Sequence, residues 1–158
     1  MDYHRFKRLA RTREMHLRIW PDRLTSGRRG PYYDVHIFPT KEQCYQAIMK
    51  ARKCSRHSLR GTGALFAGSR SIWPRGTKEK KKYGRTKCFG HLYFHAGQFY
   101  IGSIVHECIH LGLDYCDRRG INALRSVEEE EKFTKWVDIS VTQMINALDQ
   151  IADKHKIT

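Results

Sequence analysis

The 158-residue chain contains no Cys-x-x-Cys pair, and its five cysteines are an odd number. Together these absences argue against a disulfide scaffold and against a cysteine-based zinc knuckle. It has no apolar run of about 18 residues that could span a bilayer. No N-terminal stretch is organised like a signal peptide. The expectation is therefore an intracellular, cytoplasmic protein with no membrane span. Acidic residues are scarce: 16 Asp and Glu stand against 30 Lys and Arg, a formal net charge of +14. Such an excess predicts attraction to nucleic acid, an anionic surface or an acidic protein. A basic solvated surface with no polyanion partner accounts for it equally well. What is present argues against disorder, since 40% of residues are hydrophobic and 11% aromatic. The length suits a single domain, 1–158, with a real core.

Three parts follow one another along the chain. Residues 1–30 form a basic segment whose Arg5, Lys7, Arg8, Arg11 and Arg13 suit a charged helix or a loose arm. Within it, residues 15–20 alternate polar and apolar and predict a strand ended by Pro21. The second part, 31–98, opens with a strand at 33–38 carrying Tyr33, Val35 and Ile37 on one face. Thr40 then predicts a helix N-cap with Gln43 at the reciprocal position, leading a helix over about 41–53. Glycines at 61, 63, 68 and 76 break the pattern beyond it, leaving a short strand at 64–67 and a basic loop, 78–85. Trp73 and Tyr83 could stack on nucleic-acid bases there, although a solvated surface loop is the commoner use of such a run. A third strand spans 89–95, with His91 and His95 on one face about 13 Å apart.

The third part, 99–158, predicts a pair of helices and carries the chemistry. Residues 106–110 read His-Glu-Cys-Ile-His. On a helix, His106 and His110 project from one face a turn apart. That spacing allows both ring nitrogens to meet one Zn²⁺ at about 2.0–2.1 Å each. Glu107 is placed to take a proton from a metal-activated water rather than to ligate. Ile104, Val105, Ile109 and Leu111 surround the motif, so the histidines are expected in a dry wall. The helix should run from about Phe99 to Tyr115 and stop near 117–120. A second begins after Ser126, with an acidic first turn at 128–131 and an apolar stripe from Phe133 to Ile151, over about 127–153.

A catalytic zinc usually takes three protein ligands and an open position. A third histidine six residues on is excluded, because Leu113 and Cys116 occupy the positions such a pattern gives to Gly and His. A carboxylate is left as the source. Projection of the last helix favours Glu130, with Glu129 in reserve because capping can occupy it, and Asp114 as a weaker choice.

This order of strand, His-Glu-x-x-His helix and acidic helix start resembles the gluzincin side of the zincin metallopeptidases. It is similar in size to the minimal single-domain members of bacterial and phage genomes. The resemblance covers about residues 89–150 and rests on His106, Glu107 and His110. It implies one zinc ion and a sheet edge that binds an extended peptide, which would make 89–95 a substrate shelf with His91, Tyr93 and His95 as substrate-binding residues. No stretch supplies an evident oxyanion-stabilising Tyr or His.

The expectation is thus an α+β protein, a small mixed or antiparallel sheet packed on the His-Glu-x-x-His helix and a long C-terminal helix. It would act as a zinc metallopeptidase on a peptide or protein substrate. A second expectation, from the charge, is a basic protein binding nucleic acid or host protein, with a structural or vestigial zinc. A zinc hydrolase acting on another bond is a third.

Overall fold

The computed structural model describes residues 3–21, 31–52, 64–68, 88–122 and 124–154. Four strands form one mixed sheet in the order β1-β2-β4-β3. They are β1 (Met15–Ile19), β2 (Tyr32–Phe38), β3 (Ala64–Gly68) and β4 (Cys88–His95). β1 pairs antiparallel with β2, β2 parallel with β4, and β3 antiparallel with β4. The helices are α1 (Tyr3–Thr12), α2 (Lys41–Arg52), α3 (Ile101–Arg119) and α4 (Val127–Lys154). The α+β expectation holds. The basic N-terminal segment is helical over α1 and buries Leu9 and Ala10 in the core.

Alternation along the strands sorts side chains between two layers. Met15, Leu17 and Ile19 of β1, Tyr33, Val35 and Ile37 of β2, and Leu92 and Phe94 of β4 face one way. There they meet Ile104, Cys108, Leu111 and Tyr115 of α3 and Met144 and Leu148 of α4. Phe38 and Tyr93 face the other way, into a smaller cluster with Cys44, Tyr45 and Ile48 of α2. The sheet therefore lies between α2 on one side and α3 with α4 on the other. Gln143 of α4 ties the end of β1 to this layer, its side-chain amide accepting from Trp20 N and donating to Trp20 O, both at 2.8 Å.

Local rules set the helix ends. Thr40 Oγ1 accepts from Gln43 N at 3.2 Å, and Ser126 Oγ from Glu129 N at 3.3 Å. Gly120 terminates α3 with φ 70°, a left-handed conformation that suits a residue without a Cβ. Ile121 N then donates to Cys116 O at 2.9 Å, closing the last turn. Close approach of α4 to α3 depends on Gly112. A Cβ there would lie 2.7 Å from Val137 Cγ2 and 2.9 Å from Phe133 Cε2.

The basic loop 78–85, with Trp73 and Tyr83, lies outside the described residues, as does most of 53–87. Among the described residues no helix is long and apolar enough to cross a membrane.

Candidate functional site

The nineteen-residue α3 carries the His-Glu-x-x-His run in its middle. Ile104, Cys108, Leu111 and Tyr115, spaced at i, i+4, i+7 and i+11, turn into the core and are fully buried. This stripe fixes the opposite flank, on which both histidines are exposed. Exposed Ile109 and Leu113 flank them. The expected dry wall is therefore corrected. Of the apolar neighbours in sequence, Ile104 and Leu111 point inward, and the imidazoles stand on the outer face of the helix.

Their geometry is that of a donor pair. His106 Nε2 and His110 Nε2 face one another at 3.1 Å, with ring planes at 78°. Two nitrogens on one tetrahedral zinc sit about 3.4 Å apart. Partial burial, with the neighbouring His106 ring, lowers the His110 pKa below its usual value, which keeps the ring neutral. Glu107, one residue on, is buried at 4% exposure. Its neighbour Cys108 is pushed up to about 12 by burial, with the Glu107 charge adding to the effect.

No third donor completes this pair. Among the described residues, no further His, Cys, Asp or Glu brings a ligand atom within 4.8 Å of both histidines. Glu130 is exposed and lines a surface depression with Glu131, Thr134, Lys135 and Asp138. The first turns of α4 pack instead through Trp136, edge-on to Tyr115 at 4.7 Å, and through Phe133 and Val137 over Gly112. That packing rolls Glu129 inward and Glu130 out, the reverse of the expected preference. Glu129 is half-buried, its Oε2 has no hydrogen-bond partner, and its charge helps raise the Cys116 thiol. Asp114 is committed elsewhere, accepting from Tyr33 Oη and from Arg118 Nε, each at 2.7 Å.

The substrate shelf also needs correction. β4 is an inner strand, paired with β2 along one side and β3 along the other, so its backbone groups are already taken. An extended peptide adds only to a free edge. Beyond Phe89 the odd residues of β4 share the sheet face that carries α2, with Tyr93 in that helix's cluster. The sheet thus separates His91, Tyr93 and His95 from α3. His95 is buried, its Nε2 has no hydrogen-bond partner, and burial and nearby Lys41 lower its pKa.

Comparison with family models, curated proteins and solved structures finds no match to this chain. Its chemistry must be read from its own residues.

A second constellation lies on the α2 face of the sheet. Asp34, Cys88 and His91 each present a ligand atom within 4.8 Å of the others, and all three are half-buried. The sequence reading missed it. Its trace is a Cys-x-x-His spacing, Cys88 to His91, opposite an Asp-x-His pair, Asp34 and His36. On a regular strand, residues three apart point to opposite faces. Here the register shifts between Tyr32 and Tyr33, so that Tyr32 pairs with Cys88 and Tyr33 with Gly90. The irregularity skips Phe89 and turns Cys88 and His91 to the same side.

Proposed function

We propose that the chain is a zinc-dependent hydrolase acting on peptide bonds, with His106 and His110 as metal ligands and Glu107 as general base. The observation that carries this reading is the 3.1 Å approach of the two Nε2 atoms on the exposed flank of α3. A packed core histidine pair would be enclosed; these are accessible to an ion and to a substrate. Zinc, when bound, would polarise a carbonyl and acidify a water. The residues here do the rest. The two imidazoles orient the ion, and the core stripe of α3 holds their spacing. The Glu107 carboxylate, next to His106 in sequence and 4% exposed, would accept a proton from the attacking water and pass it to the leaving amine. A third ligand, where the ion takes one, would be a carboxylate of α4, Glu130 as the sequence suggests or Glu129 as its inward turn favours. With a charge of +14 the substrate is an acidic polypeptide, drawn in by long-range attraction.

The test is zinc content and hydrolysis of a fluorescently labelled unfolded protein. His106→Ala with His110→Ala should lower zinc by about one equivalent per chain. Glu107→Gln should keep that zinc and lose about 10²- to 10⁴-fold in rate. Undiminished hydrolysis in Glu107→Gln refutes the reading. Salt-sensitive capture of DNA by the folded double variant would favour the nucleic-acid-binding alternative.

A further inference from the structure

We propose that Asp34, Cys88 and His91 form a second transition-metal site, on the sheet face opposite α3 and independent of the histidine pair there. Cys88 Sγ lies 3.6 Å from Asp34 Oδ2 and 3.9 Å from His91 Nε2. Donors sharing one tetrahedral zinc, at its usual sulfur, nitrogen and oxygen bond lengths, sit about 3.3–3.6 Å apart. The sulfur is thus close to the spacing that a shared ion requires from both partners, and all three ligand atoms lie within 4.8 Å of one another. A sulfur, a nitrogen and a carboxylate oxygen form a borderline-soft donor set, which suits Zn²⁺ or Co²⁺ and is poor for Mg²⁺ or Ca²⁺.

The surroundings orient each donor. His91 Nδ1 faces His36 Nε2 at 3.2 Å. A neutral His36 ring offers this Nε2 as an acceptor. His91 then carries its proton on Nδ1, and its Nε2 lone pair points to the cluster, the arrangement by which a ligating histidine is usually steadied. Asp34 is held through its other oxygen, Oδ1, which takes Arg18 Nε at 2.9 Å and His16 Nε2 at 3.2 Å. Oδ2 is left to the cluster. The sulfur also lies 3.3 Å from Gly90 O.

A Cys–His nucleophile is the competing use of these residues. It needs a thiol lowered toward its thiolate and a histidine oriented by a carboxylate. Here the Asp34 carboxylate stands beside the sulfur, where its charge opposes a thiolate, and His91 is oriented by another imidazole. Metal binding supplies what deprotonates it: the ion takes the sulfur lone pair, the S–H bond breaks, and one proton leaves to solvent.

Cobalt titration of the full chain tests this, because a Co²⁺–thiolate bond gives a charge-transfer band that histidine and carboxylate ligands do not. The His106→Ala/His110→Ala variant should still bind about one equivalent of Co²⁺ and show that band, since the mechanism requires one thiolate ligand. Adding Cys88→Ser should abolish the band, with circular dichroism confirming the fold. His36→Gln, which removes the ring facing His91 Nδ1, should weaken cobalt binding about 10- to 100-fold while circular dichroism shows the fold kept. No stoichiometric cobalt in the double-histidine variant, or a band that survives Cys88→Ser, overturns the proposal. Neither result bears on whether His106 and His110 bind zinc.

Discussion

Gly112 offers the sharpest check on how the two long helices meet. An alanine there places a Cβ 2.7 Å from Val137 Cγ2, 2.9 Å from Phe133 Cε2 and 3.2 Å from Phe133 Cδ2. Valine is stiff about χ1, so its methyl cannot swing aside cheaply. Overpacking of this kind costs about 1–3 kcal/mol. Replacing a helical glycine by alanine returns about 1 kcal/mol. The net expectation for Gly112→Ala is a loss of about 1 kcal/mol, or a fall in Tm of about 2–4 °C for a chain of this size. Thermal and urea unfolding followed by circular dichroism measure it. In a Val137→Ala background the nearest methyl is gone, so the same substitution should cost at least about 0.5 kcal/mol less. A Tm that rises on Gly112→Ala, as at an exposed helix glycine, would refute the packing described.

Asp114→Asn should destabilise the fold by about 2–3 kcal/mol, because it strips a charged partner from the buried Tyr33 hydroxyl and from Arg118; urea midpoints read this, and an unchanged midpoint contradicts the network. His95 gives a pH dependence. Its folded pKa lies below the unfolded value of 6.5, so the unfolded chain takes up the proton first. Its contribution is complete above pH 6.5 and is lost as pH falls through the folded value, so His95→Gln should flatten the decline in urea midpoint between neutral and acid pH. Arg118→Ala should lower Tm, since it releases Asp114 and also the Phe89 carbonyl that it holds at 2.9 Å beside the strand irregularity. Equal Tm values for the variant and the parent chain would remove that role.

Elements with strong periodicity were legible in the sequence. β1 and β2 alternate as expected, Thr40 and Ser126 cap where capping chemistry put them, and α3 ends at Gly120. Two histidines four apart on a helix must share a face, so their convergence was readable from spacing alone. Three features were not. The inner position of β4 depends on a parallel partner and on β3, and pairing order leaves no local trace. Which of Glu129 and Glu130 turns inward depends on how α4 rolls over Gly112, a packing angle rather than a period. The Asp34–Cys88–His91 group depends on a register shift at Phe89 that no alternation rule anticipates.

The Gln143 clamp on Trp20 spans 123 positions of chain. Contacts of such separation close late, after most of the loop-closure entropy has been lost. During synthesis, β1 emerges well over a hundred residues before the side chain that ties down its far end, Trp20 and Gln143 standing 123 positions apart. An unfinished chain therefore carries an unsecured sheet margin, and truncations that remove α4 should aggregate rather than settle into a smaller fold.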